Sequence, residues 1–373
     1  MNSPAAGEIP QAKTNGPTEY FKALTGIRAI AAYLVFFHHF NLLALVKNQP
    51  LGSLLFAFVD EWHVGVTIFF VLSGFLIGYR YSEMKNFRFR NYLVNRVARI
   101  YPMYFFLTLL TFMVLWWVEG SFDPKIFFIN ITFLKGFFEP YKFTGIAQGW
   151  SLTVEETFYF LAPLFFVLIN RNRIWFLLAP ALLLSFGSLL VFWFSRHVYL
   201  GFFSSFEFLF NYTFFGRCSE FFLGIGLAYL VKSKPAQTTW FPITYLGVFG
   251  LVLSIFLLVT QREPGAYGVR TAWGKVVNSV VLPAIGILPL FWGLLKEDTR
   301  ISRFLSSKAM VLLGKSSYIF YLIHLGPFMV WLEALPFSNP LFGFIGINLI
   351  SIVLFTTIEE PLNHFIRRRF SRF

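Results

Sequence analysis

The chain has 373 residues, of which 57% are hydrophobic and only 13% charged, with a mean hydropathy of +0.64 and a formal net charge of +13. A soluble domain cannot bury that much apolar surface, so composition points to a multi-span membrane protein. The excess cations then belong to loops between spans and not to a nucleic-acid-binding face, and Cys218, the single cysteine, excludes an intramolecular disulfide and a cysteine-based metal site.

Residues 1–20 are polar, contain three prolines and lack an apolar run. They read as a disordered cytoplasmic N-terminal segment and not as a signal peptide. Apolar runs of spanning length follow at 23–46, 62–79, 98–118, 151–169, 174–195, 213–231, 240–260, 278–295, 311–332 and 341–358. The expected fold is all-α and polytopic, with about ten transmembrane helices: a transmembrane domain over 21–366 and a basic cytoplasmic tail over 367–373. With the N-terminus placed inside, the inner segments hold 22 Lys and Arg and the outer loops 8. That bias puts both termini in the cytoplasm.

The first span, Gly26–Phe40, carries Arg28 near its start and His38-His39 near its end. Arg28 and His39 are eleven residues apart, about 16 Å of helical rise, with side chains about 20° apart in azimuth. His38 is turned roughly 80° from Arg28. A cation and a titratable base on one stripe of a membrane helix are costly and therefore candidates for function. In the second span, Gly65 and Gly74 permit close helix approach and Ser73 can hydrogen-bond across it.

The inner loop from Arg80 to Arg99 is the most basic stretch. Its Arg96 and Arg99 are three residues apart on one helix face leading to Pro102. Topological anchoring and contact with anionic membrane lipids account for part of this charge. The functional alternative is an electropositive cradle for a phosphate-bearing cofactor, which charge alone does not select over anchoring. The long outer loop, about 119–150, has the length of a segment ordered against the bundle.

At the start of the fourth span, Trp150 and Ser151 precede Glu155 and Glu156. Ser151 suits an N-cap, which explains one carboxylate near the helix start but not two. Arg217 and Glu220, in the sixth span, are spaced as an ion pair. Ser317, Tyr321 and His324 share a stripe in the ninth, where interhelical hydrogen bonding or direct chemistry would use them. Glu359-Glu360-Pro361 closes the tenth span beside the basic loops. The chain shows no phosphate-binding loop, GxGxxG or paired-histidine zinc helix, and its six histidines lack metal-ligand spacing.

These residues together resemble the acyltransferase-3 family of integral membrane acyltransferases. The Arg-x10-His pattern of its first helix falls on Arg28 and His39. FFVLSGFLI at Phe69–Ile77, RVARIYP at Arg96–Pro102, WSLTVEETFYFLAP at Trp150–Pro163 and SYIFYLIH at Ser317–His324 follow in the family's order. Two positions depart from the pattern: Thr25 stands where many members have Asp, and His324-Leu-Gly-Pro where His-x-Pro is usual.

The resemblance implies O-acetyl transfer from cytoplasmic acetyl-CoA to a hydroxyl of a cell-envelope or exported glycan, free or lipid-linked, by a multi-pass protein of the bacterial inner (plasma) membrane. It implies no metal and no nucleic-acid partner. It further implies His39 as the catalytic residue with Glu155 as a site carboxylate, and Arg28, Arg80, Arg96 and Arg99 as acyl-donor contacts. Ser73, Trp150, Ser151, Tyr321 and His324 are the remaining candidate site lining. The fused extracellular esterase-like domain of some relatives is not expected here.

On this reading His39 takes the acceptor proton, with Glu155 fixing its tautomer, or else His39 carries the acyl group itself. His39 is expected deeper than the basic groups, and Glu155 toward the outside. A glycan exporter without acyl transfer is the alternative from another class; it predicts no consumption of acyl-CoA.

Overall fold

The computed structural model describes residues 21–83, 87–197, 199–233, 241–263, 265–335 and 339–370. The expected disordered segment 1–20 and residues 371–373 of the tail lie outside them.

The first helix, α1 (Lys22–His39), packs chiefly on a later helix, Lys308–Ile323, and on the helix Gly65–Tyr81. Its buried face includes Ala23, Ala29, Ala31 and Ala32, small residues that let neighbouring backbones come close where lipid gives no hydrophobic drive. The helix stops at Phe40, and Asn41 caps the 3₁₀ turn that follows, accepting from Leu43 N at 3.0 Å and donating to the Phe56 carbonyl at 2.9 Å. His38 and His39 therefore form its last residues. α2 (Pro50–Asp60) then leads into α3 (Gly65–Tyr81). A Cβ at Gly65 would meet the Ala31 backbone, and α3 docks on α9 through Gly74 and Gly224, each with no room for a side chain. That contact seats Ser73 in the interior.

α4 (Phe89–Glu119), α5 (Pro124–Ile131), α6 (Trp150–Arg171), α7 (Trp175–Phe194), α8 (Phe206–Tyr212), α9 (Phe214–Ser233) and α10 (Ile243–Thr260) continue the bundle. α11 (Ala272–Val276) runs into a wide-turned π stretch, Val277–Ile287, that contains Pro283, and then into α12 (Leu288–Lys296). α13 (Arg300–Leu305), α14 (Lys308–Ile323), α15 (Pro327–Glu333), α16 (Pro340–Leu354) and α17 (Glu360–Phe370) complete it. Arg367–Arg369, expected in a tail, thus lie in a helix.

Among the described residues nine helical stretches are long and apolar enough to cross a membrane, and a bent pair brings the number to ten. They fall on the ten expected runs. The ninth differs in shape: α14 and α15 meet at 87° instead of forming one rod. Gly326 has φ +117°, a conformation that suits glycine, and Pro327 restarts the helix without needing a backbone donor. The long loop between α4 and α6 folds against the bundle through α5 and short 3₁₀ turns, with Lys135 fully buried.

Candidate active site

Three adjoining cavities run through the bundle between α1, α3, α4, α6 and α14. The first is a basic funnel of about 780 Å³ lined by Arg28, Arg80, Arg96, Arg99, Lys315 and Arg367, with Glu359 and Glu360 on its wall. Glu360 lies 3.4 Å from Lys315 of α14, which is not a residue of the basic loop Arg80–Arg99. Arg96 is buried, its guanidinium 5.6 Å from the centroid of the Tyr159 ring and its Nε without a hydrogen-bond partner.

The second cavity is a constriction of about 60 Å³ that shares Arg28, Leu76, Ile77, Arg96 and Arg99 with the funnel. Glu155, Ser73, Ser151, Tyr159, Tyr318 and Tyr321 complete its wall. Ser73 Oγ and Tyr159 OH both donate to Glu155 Oε1, and Tyr159 OH lies 3.2 Å from Ser73 Oγ. At the far end, Ser151 Oγ and Tyr321 OH meet at 2.9 Å. Ser151 is not the expected cap. The chain enters α6 directly from the 3₁₀ turn Ala147–Gly149, so Ser151 lies inside the first turn and donates to the Gln148 carbonyl at 2.9 Å.

The third cavity, of about 390 Å³, shares Val66 and Tyr321 with the constriction. His38, His39 and His63 line it, with Trp150, Tyr212, Tyr267 and Phe143 as aromatic walls and Gln148, Asn211, Asn278 and Glu207 as polar groups. The Trp150 and Tyr212 rings are edge-to-face at 4.9 Å. His39 Nδ1 lies 2.8 Å from the Val35 carbonyl, and His38 Nδ1 lies 2.6 Å from the Asp60 carbonyl. A carbonyl only accepts, so both neutral rings carry hydrogen on Nδ1 and present Nε2 as the basic nitrogen. His324 is buried behind them. Its ring is 5.3 Å from that of His39, its Nδ1 bonds the Tyr321 carbonyl at 2.8 Å, and its Nε2 has no partner.

Two expectations are corrected by this geometry. Glu155 gives its carboxylate to Ser73 and Tyr159, and His39 gives Nδ1 to Val35, so the two do not pair. Their order along the path is also reversed: Glu155 sits beside the funnel arginines and His39 in the chamber beyond. The reason is direction. α6 begins at the chamber with Trp150, and Glu155 lies more than a turn further along, toward the funnel; α1 begins at the funnel and ends at His39.

The sequence reading had also passed over Glu61 and His63. Glu61 is fully buried, 3.0 Å from His63 Nε2, accepting from Gly268 N at 2.8 Å and lying 3.4 Å from Arg262. Two acidic residues and a histidine at the edge of an apolar run were the available signal. Arg217 and Glu220 form the expected ion pair at 2.7 Å, and Arg217 also donates to Thr67 Oγ1 at 3.0 Å. Among the described residues no group of three His, Cys, Asp or Glu side chains is placed to hold a metal ion.

A family model described as an acyltransferase domain matches residues 21–359. A Staphylococcus aureus protein named "Putative O-acetyltransferase" is 26% identical over 350 residues, covering 84% of this chain and 52% of the relative. A protein of Acidianus two-tailed virus named "Putative acetyltransferase" is 26% identical over 347 residues, covering 92% and 90%. The O-acetyltransferase OatA of Staphylococcus aureus is 24% identical over 337 residues, covering 82% and 50%. The chain spans about half the length of these staphylococcal relatives. No solved structure matches it.

Proposed function

The chain belongs to the acyltransferase-3 family and is a multi-pass membrane protein, and from that premise we propose that it transfers an acetyl group from acetyl-CoA to a hydroxyl of a cell-envelope glycan. The funnel arginines, on the side taken as cytoplasmic, receive the phosphates of the donor. The thioester arm threads the constriction, and the acceptor sugar lies against the aromatic walls of the histidine chamber. What supports this most is the shared lining: Arg28, Arg96 and Arg99 belong to both funnel and constriction, and Tyr321 to both constriction and chamber.

In this reading His39 Nε2 takes the proton of the acceptor hydroxyl as its oxygen attacks the thioester carbon. The carbon–sulfur bond then breaks, and the imidazolium returns the proton to the departing sulfur, giving an O-acetyl ester and free CoA. Positive charge on the ring develops in the last turn of α1, beside the negative end of the helix dipole. The fixed tautomer leaves the Nε2 lone pair free to act as base or as nucleophile, and direct transfer is the shorter route because it needs no covalent intermediate. Glu155 serves as the counter-charge and hydroxyl anchor of the constriction and not as partner of His39.

Full-length protein in proteoliposomes, given acetyl-CoA on the side of the basic loops and an envelope glycan fragment on the other, tests the reading. Release of free CoA thiol should depend on acceptor, with acetyl recovered on the glycan. Glycan movement with no CoA release would replace this reading with that of an exporter.

A further inference from the structure

We propose that a lateral groove between α7, α9, α10 and α12, which shares no lining residue with the three cavities, binds one anionic phospholipid of the leaflet on the side of the basic loops. The groove encloses about 650 Å³ and is lined almost wholly by apolar side chains, with Ser219 the polar exception. Leu177, Leu230 and Val280 on its walls are exposed, so it opens sideways toward the membrane. Its floor is made by Gly226. A Cβ there would meet only Phe176, at 3.9 Å, whereas Gly224 on the other face of α9 is pressed against α3. The two glycines therefore differ in kind: one is needed for helix contact, the other leaves a channel open.

The groove does not end in lipid. Phe176, Gly226 and Leu230 also line a second hollow, of about 520 Å³, whose other walls are Glu83, Arg173, Tyr229, Lys232 and Ser233. Arg173 lies 4.3 Å over the centroid of the Tyr229 ring, and Tyr229 OH donates to Asn170 Oδ1 at 2.6 Å, which fixes the stack at the mouth. Lys232 is answered by Glu83 at 3.0 Å. Arg173 is exposed and has no carboxylate partner among the described residues. An apolar channel continuous with a guanidinium at the membrane surface has the two-part chemistry of a phosphate headgroup with an acyl tail. A soluble anion would not use the channel, and an uncharged lipid would not use the arginine.

The test uses full-length protein, stripped of lipid in detergent and titrated with phosphatidylglycerol or with diacylglycerol, which lacks the phosphate, with bound lipid counted by native mass spectrometry. Wild-type protein should hold one phosphatidylglycerol about tenfold more tightly than diacylglycerol, the scale of one charge-assisted contact. Gly226→Leu fills the floor and should lose either lipid while keeping its Tm, since the space around the new side chain is open. Arg173→Gln, at an exposed position, should keep a lipid but bring the headgroup preference to within about twofold. Equal affinities in wild type, a Gly226→Leu protein that retains its lipid, or an Arg173→Gln protein that retains the full preference would overturn the proposal. A dimer that Gly226→Leu dissolves would instead assign the groove to a second copy of the chain.

Discussion

The Nδ1 of His39 lies 2.8 Å from the carbonyl oxygen of Val35, one turn back on the same helix. The contact fixes which nitrogen is basic without any carboxylate, and it does so within α1 itself, so the tautomer does not depend on how other helices move. His38 Nδ1 instead bonds the Asp60 carbonyl at the end of α2, so its tautomer does depend on a second helix. Both rings face the chamber, and the two differ in what stands behind them: His39 is next to His324, His38 next to His63 and Tyr267.

His39→Ala should therefore lower acetyl transfer by the ~10²–10⁴-fold typical of a lost general base, in protein that inserts and melts normally. His38→Ala should be much milder. The measurement is acetyl-CoA-dependent acetylation of glycan in proteoliposomes. Activity of His39→Ala above about a tenth of wild type would remove it as the base.

Glu155 stands between the arginines of the funnel and the hydroxyls of Ser73 and Tyr159. Glu155→Gln keeps the shape but removes the charge that balances Arg28, Arg96 and Arg99. Its effect should fall on the KM for acetyl-CoA and on kcat together, by about tenfold or more in kcat/KM, one charge-assisted contact being worth that much. Ser73→Ala should cost less, because Tyr159 still donates to the same oxygen. A Glu155→Gln enzyme with unchanged acetyl-CoA kinetics would place the donor path elsewhere.

Lys135 is buried in the long loop between α4 and α6, where its ammonium donates to the carbonyls of Thr144, at 2.8 Å, and Ile146. Burial without a carboxylate pulls its pKa down to about 7 from an ordinary value of 10.5. Below about 7 the folded loop holds a charged amine. Between there and 10.5 the folded state has lost a proton that the unfolded chain keeps, so stability rises with pH across that window. The Tm of wild-type protein should climb from pH 7 to pH 10 relative to that of Lys135→Met. Parallel Tm profiles would show that the lysine does not titrate on unfolding.

Arg28 and His39 were legible because a helix of known pitch relates residues within one segment, and their shared stripe needs no tertiary information. The ten spans were legible for the same reason. The partner of Glu155 was not. Residue spacing puts a carboxylate on a face of α6 but says nothing about which helix that face meets, and the meeting with Ser73 depends on how closely Gly74 lets α3 approach α9. Glu61 was missed for a similar reason: its bonds to Gly268 and Arg262 cross some 200 residues of sequence, where no periodicity reaches. The bend at Gly326-Pro327 has a local signal in its glycine and proline, yet the 87° angle between α14 and α15, both packed beside α16, follows from no spacing within the segment.

Arg217 and Glu220 show how a pair that was legible acquires a second role in the fold. Their 2.7 Å bridge lies inside the bundle, both side chains nearly inaccessible, and Arg217 adds bonds to Thr67 at 3.0 Å and the Asn211 carbonyl at 3.1 Å. It thereby ties α9 to α3 and to the end of α8 beside the histidine chamber. Removing one partner strands a buried charge, so Glu220→Ala should destabilise by about 3–5 kcal/mol, read as a large drop in Tm in detergent. Replacing both, as Arg217→Met with Glu220→Leu, should recover most of that loss, because no unpaired charge remains. The double variant should nevertheless lose acceptor affinity, since Arg217 lines the chamber. If it melts as low as the single variant, the bonds to Thr67 and Asn211 hold the helices together and the charge pair contributes little.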